Sequence, residues 1–168
     1  MRRLRTAVTL GTALLALAAC GTGGGGAGRE CTLIGSMPGL SVVVPAPEGA
    51  RVASAHLRVC WGGTCQEPRL ELRPTSKTVS TGCDGDEPDD ACGASASPDG
   101  GMSGFAHVEG LPKTSVKVTL TLRDAQGRKY LGKRVDVTPK TTFPNGPHCG
   151  EGEPQAVLTV ANGQITPR

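Results

Sequence analysis

The sequence predicts an all-β fold, an antiparallel β-sandwich of about seven strands that is stapled by disulfides. Three observations lead to this prediction. Apolar and polar residues alternate with a period of two in several short segments, Gly and Pro separate these segments, and no helical period follows residue 20. Aromatic residues are scarce at 2% of the chain, so the core must consist of Val, Leu and Ala and would benefit from covalent cross-links.

The predicted strands follow one another within residues 31–168. The clearest is 114–123, where valine and leucine alternate with lysine, threonine and arginine. The others are 40–45, 51–61, 69–73, 104–111, 129–137 and 156–160. Residues 82–103 and 139–154 lack a hydrophobic period and are predicted as long loops. This pattern resembles the immunoglobulin-like domains of bacterial surfaces, a resemblance of architecture that implies no particular function.

Residues 1–19 have the organisation of a secretory signal. Arg2, Arg3 and Arg5 form a positive segment, and an apolar run over 7–16 is followed by small residues. The run is too short to predict a membrane-spanning helix. The sequence therefore predicts an exported protein whose first 19 residues are removed.

The end of this signal carries a cysteine at the expected cleavage site. Residues 17–20, Leu-Ala-Ala-Cys, and the following Gly21 resemble the lipobox of bacterial lipoproteins. The resemblance implies that the Cys20 thiol receives a diacylglycerol and that cleavage leaves this residue first in the mature chain. Two acyl chains, such as palmitate, are enough for stable attachment. We therefore expect a membrane anchor on the extracytoplasmic face, a flexible Gly-rich tether within 20–30 and a domain over 31–168.

The charge of the mature chain is balanced. Removal of residues 1–19 takes away three arginines, which leaves 15 basic and 15 acidic residues. The net charge of +3 therefore belongs to the signal. Without a basic surface, nucleic-acid binding loses its electrostatic contribution, and we expect no nucleic-acid partner.

Six cysteines remain after Cys20, and an even number in an exported chain predicts a disulfide framework. Sequence proximity favours the pairs Cys60–Cys65, Cys83–Cys92 and Cys31–Cys149. The last bridge closes the longest loop and would contribute roughly 4–5 kcal/mol. A zinc site is the competing interpretation, but neither close pair has the C-x2-C spacing, and an oxidising compartment disfavours free thiolates.

One acidic segment between two cysteines is a candidate metal site. Asp84, Asp86, Glu87, Asp89 and Asp90 lie within seven residues. Calcium takes six to eight oxygen ligands, and a cation would relieve the mutual repulsion of these carboxylates. The alternative is a solvated acidic loop, since its spacing departs from that of an EF-hand. Calcium is the one cofactor that the sequence suggests, with Asp84, Asp86, Asp89 and Asp90 as ligands.

No catalytic arrangement can be assembled from the sequence. Ser103 lies in a segment that begins like a nucleophile elbow, yet the final glycine and the preceding strand are missing. The three histidines, His56, His107 and His148, are scattered. We therefore expect a non-catalytic binding module whose partner is an envelope protein or a wall component. A structural surface protein without a discrete ligand is the alternative, as is a calcium-binding module.

Overall fold

Ten β-strands and one short 3-10 turn form the regular structure of residues 31–168, the part of the chain that the computed structural model describes. The strands are β1 (Gly39–Val44), β2 (Ser54–Trp61), β3 (Thr64–Gln66), β4 (Arg73–Cys83), β5 (Cys92–His107), β6 (Val116–Arg123), β7 (Lys129–Val137), β8 (Lys140–Thr141), β9 (Pro154–Ala161) and β10 (Gln164–Pro167). Within this part, no helix is long and apolar enough to cross a membrane. The predicted signal, Cys20 and the tether lie outside the described residues.

The strands form two sheets, which confirms the predicted all-β class. One sheet has six strands in the order β10-β9-β1-β5-β4, with β8 paired to β9, and the other has four in the order β3-β2-β6-β7. The strand number exceeds the predicted value of about seven because β3, β8 and β10 are too short to show a period and β4 is exposed on both faces, whereas the predicted strand over 69–73 does not form. One pairing departs from the predicted antiparallel arrangement, since β9 lies next to β1 and runs in the same direction.

The hydrophobic core is built from aliphatic side chains of both sheets. Strand β6 illustrates the principle, since Val116, Val118, Leu120 and Leu122 are buried while the residues between them face outward. Other residues without solvent exposure are Leu40, Val42, Val44, Leu57, Val59, Ala106, Val108, Leu158 and Val160. No polar or charged residue of the described chain is buried. Burial of apolar surface and close packing therefore stabilise the fold, as the composition predicts.

Disulfides close two of the hairpins as predicted. Cys60 and Cys65 lie opposite each other on β2 and β3 and are bonded. The turn between these strands is Gly62-Gly63, with φ values of 56° and 82°, as a two-residue hairpin turn with both positions left-handed requires. Cys83 is bonded to Cys92. Cys31 and Cys149 are each disulfide-bonded as well, and their pairing with one another stays a prediction.

Candidate functional site

A two-stranded hairpin extends from the six-stranded sheet, and we call residues 75–101 the arm. Strand β5 pairs with β1 only over residues 102–107, whereas its pairing with β4 continues from Ser103 to Cys92. Nearly all residues from 76 to 98 are exposed. The predicted loop over 82–103 is therefore wrong, because residues 92–103 belong to β5, which from Cys92 to Gly101 lies beside β4 alone among the described strands.

Hydrophobic periodicity does not predict the arm, because both faces of its strands are exposed to solvent. A hydrophobic period arises only where one face of a strand is buried, and the arm consists mainly of Ser, Thr, Ala and Gly. The predicted strand over 69–73 is also wrong, because here the alternation of apolar and polar residues does not correspond to a strand. Leu70 is buried, but residues 67–72 are irregular, and β4 begins only at Arg73.

The side chain of Asp99 joins the two strands at the base of the arm. Its Oδ1 accepts a hydrogen bond from the Thr75 hydroxyl at 2.5 Å and another from the Gly101 amide at 2.9 Å. A Cβ at residue 101 would collide with Thr75 Oγ1 and displace the hydroxyl that Asp99 binds. The Thr75 hydroxyl, the Gly101 amide and the charge of Lys77 hold the pKa of Asp99 below its usual value. The ionised form of Asp99 is therefore the one that joins the two strands where the arm begins.

Protonation or removal of Asp99 is expected to loosen the arm. The pKa of Asp99 is lower in the folded than in the unfolded protein. The ionised carboxylate therefore stabilises the fold fully above the unfolded pKa of about 3.9, and this stabilisation is lost as the pH falls through the folded pKa. In Asp99→Ala, amide hydrogens of β4 and β5 in the arm should exchange faster at neutral pH, and those of β6 should not. The control is Asp136→Ala, an exposed carboxylate on β7. Equal exchange in wild type and Asp99→Ala would contradict this role.

The tip of the arm is an acidic turn that is ordered by its own hydrogen bonds. The Asp84 amide donates to the Ala91 carbonyl at 3.0 Å, and the Glu87 amide donates to Asp90 Oδ2 at 2.7 Å. The Cys83–Cys92 bond closes the turn, with the two Cα atoms 3.9 Å apart. Across the described residues, no three His, Cys, Asp or Glu side chains converge as metal ligands would. The candidate ligands Asp84, Asp86, Asp89 and Asp90 thus lie on one turn without forming a cation cage.

Calcium is expected to leave the stability of this protein unchanged. A carboxylate oxygen of Asp90 already accepts a backbone hydrogen bond, and calcium requires six to eight oxygen ligands. Thermal unfolding of the purified protein with and without millimolar calcium measures this directly. The reverse outcome would be a calcium-dependent rise in Tm that disappears when Asp84 and Asp86 are both changed to Asn, and it would make the tip a metal site.

A groove of about 870 Å³ lies where the arm joins the sheet. Its floor is the outer face of β1 and β5, where Ser41 lies opposite Phe105 and Val43 lies opposite Ser103. One wall is formed by Arg69 and Glu71 of the irregular segment 67–72 and by Arg73, the first residue of β4. The groove is therefore continuous with both strands of the arm, because β4 begins in its wall and β5 ends in its floor.

Glycine and charge define the wall of this groove. A Cβ at Gly104 would collide with the Glu71 carbonyl oxygen, so glycine lets the irregular segment pack directly on β5. Arg69 and Glu71 form an ion pair at 2.6 Å. Arg73 adds a second guanidinium to the lining. The groove therefore combines a partly apolar floor with exposed charges along its wall.

The candidate catalytic residues do not form a reactive set. Ser103 and His107 both line the groove, but they lie four positions apart on one strand, a distance of about 13 Å. His56 is exposed on β2 and lies 3.4 Å from Glu67. His148 lies in the irregular segment that precedes β9. Sequence reasoning missed Arg69, Arg73 and Phe105 as neighbours, since only the tertiary fold brings the irregular segment and β4 against β5.

Comparison with known proteins leaves the site to be interpreted on its geometry alone. No protein-family model matches the chain, and no curated protein or solved structure is detectably similar to it.

Proposed function

We propose that this protein is an exported lipoprotein, anchored through Cys20 to the extracytoplasmic face of the cell membrane, that acts as a non-catalytic binding module. The recognition surface is the arm together with the end of the groove beside it, where Arg73 and Ser103 lie opposite each other; Met37 lines the other end of the groove. The partner is an envelope protein or a wall component. The sandwich, with its immunoglobulin-like architecture, serves as the rigid scaffold.

The arm is the observation that carries this proposal. None of residues 75–101 belongs to the hydrophobic core, so the sandwich does not need them for its packing. An isolated two-stranded hairpin is only marginally stable, yet this one is held at its tip by Cys83–Cys92 and at its base by Asp99. A segment that is outside the core and still ordered at both ends is suited to contact with a partner.

The charge of the tip indicates the chemistry of that contact. Five carboxylates lie within residues 84–90, whereas the arm strands carry few charges. Acidic side chains at the rim of an interface favour partners with basic groups and make association faster at low salt. We therefore expect binding through the arm to weaken as ionic strength rises.

Site-specific photocrosslinking in the native envelope tests this function. A photoreactive amino acid is placed at Val79 in the arm of the full-length protein, and a matched probe is placed at Arg134, which is exposed on β7. The probe at Val79 should give a discrete adduct that the probe at Arg134 does not give. Changing Cys83 and Cys92 together to Ser should reduce the adduct. The same background at both positions would favour a structural surface protein without a discrete ligand.

A further inference from the structure

Four of the five large apolar side chains that are most exposed in residues 31–168 come from residues 33–37 and from residue 143, two stretches of chain that line adjoining hollows. Leu33, Ile34, Met37 and Phe143 have relative exposures of 101%, 57%, 58% and 46%, and Val79 in the arm is the one other large apolar residue exposed to a similar degree in residues 31–168. Met37 and Phe143 line one hollow, and Ile34 lines the adjoining one. We call these four residues the apolar patch. Single apolar residues are common on surfaces, whereas a cluster of them marks an interaction site.

Hydrogen bonds hold the backbone beneath this patch in place. Asn145 accepts from the Ile34 amide and donates to the Ile34 carbonyl, both at 2.9 Å. Ser36 Oγ accepts from the Glu153 amide at 2.7 Å, and the Gln155 side chain donates to the Met37 carbonyl at 2.8 Å. The exposed side chains therefore stand on an ordered segment, and their contact with another apolar phase costs little backbone entropy.

We infer that the apolar patch rests on the lipid bilayer to which the protein is anchored. This inference rests on the proposed lipid anchor. Only ten residues separate Cys20 from Cys31, a reach of at most about 40 Å even when fully extended. The patch begins two residues later and is thus the apolar surface nearest to the anchor along the chain. Linkage through a short segment gives an effective concentration in the millimolar range, so a small patch is enough.

A lipid surface fits the chemistry of the patch. Its four side chains carry no charge, and leucine, isoleucine, methionine and phenylalanine enter the boundary between headgroups and acyl chains to a depth of about 5–10 Å. The diacylglyceryl group supplies the attachment itself. The contribution of the patch is therefore orientation rather than affinity.

Strand register then places the arm away from the bilayer. The patch precedes β1 at Gly39, which lies opposite His107, whereas the arm continues β5 beyond Met102, which lies opposite Val44. The two features are therefore at opposite ends of the β1–β5 pair. At about 3.3 Å per residue, β1 spans roughly 17 Å, and β5 continues for up to about 33 Å from Met102 to Cys92. Docking through the patch would point the acidic tip outward, toward partners beyond the membrane.

Tryptophan quenching by brominated lipids tests this orientation. The chain has one tryptophan, so Trp61→Phe combined with either Phe143→Trp or Val79→Trp leaves a single reporter at the patch or in the arm. The full-length lipidated protein is reconstituted in phosphatidylcholine vesicles with or without brominated acyl chains. We expect bromination to lower the emission of the Phe143→Trp variant and to leave that of the Val79→Trp variant unchanged. Met37→Trp is a second patch reporter if Phe143→Trp fails to fold.

Flotation of the vesicles separates the two proposals. If the protein floats with the vesicles but the patch reporters are quenched no more than the Val79→Trp variant, the docking inference is overturned and the anchor stands. A patch covered by a second copy or by another protein would give this same unquenched result. If the protein does not float, the lipid anchor fails and the inference fails with it. Changing Leu33 and Ile34 together to Ser should reduce quenching of the Phe143→Trp reporter without changing flotation.

Discussion

Cys20→Ala is expected to abolish lipid attachment of this protein. The thiol is the atom that would carry the diacylglyceryl group, and the two acyl chains of that group are the number needed for stable anchoring. In wild type, mass spectrometry should find an N-terminal peptide that begins at residue 20 and carries the mass of the lipid. The variant should lack this peptide, and normal cleavage after residue 19 should be lost.

The matched control is Thr22→Ala, two residues into the predicted tether. This change leaves the thiol in place, so lipid mass, processing and membrane fractionation should equal those of wild type. The anchor hypothesis fails if Cys20→Ala is processed normally and remains in the membrane as firmly as wild type. That result would leave an exported sandwich whose Cys20 is incidental.

Leu120→Ala is expected to have the largest effect on folding stability. Leu120 has no solvent exposure and lies near the middle of β6, paired in register with Leu57 on β2 and with Lys133 on β7. Loss of its buried methyl groups removes transfer free energy and leaves a cavity, which together cost about 2–5 kcal/mol. Chemical denaturation of the purified protein measures the free energy of unfolding.

The chain offers the same substitution at a fully exposed position. Leu33 has a relative exposure of 101%, so Leu33→Ala removes almost no buried area and should change stability by no more than about 0.5 kcal/mol. Similar losses in the two variants would contradict the assignment of β6 to the centre of the core. A small loss at Leu120 alone would indicate that the sandwich closes around the missing side chain.

Local sequence patterns predicted the parts of the fold in which one strand face is buried. Strands β6, β7 and β9 were predicted nearly to their ends, because alternate side chains must be apolar where they enter the core. The pairs Cys60–Cys65 and Cys83–Cys92 followed from proximity, since a turn brings near neighbours within bonding distance. The signal and the lipidated cysteine are linear motifs and stay predictions from sequence.

Tertiary structure alone decided the surfaces that we propose to be functional. Local sequence patterns do not predict the arm, because both of its faces are exposed to solvent. Its strands are recognised only from the pairing of β4 with β5. The groove combines Arg73, Phe105 and Ser41 from three strands, and the patch combines Phe143 with residues more than a hundred positions earlier. By itself the sequence determined the fold class, because burial of one face imposes a period on each core strand. Contacts between distant segments impose no such period on the sequence. These contacts determined the surfaces at which we propose that a partner and the membrane bind.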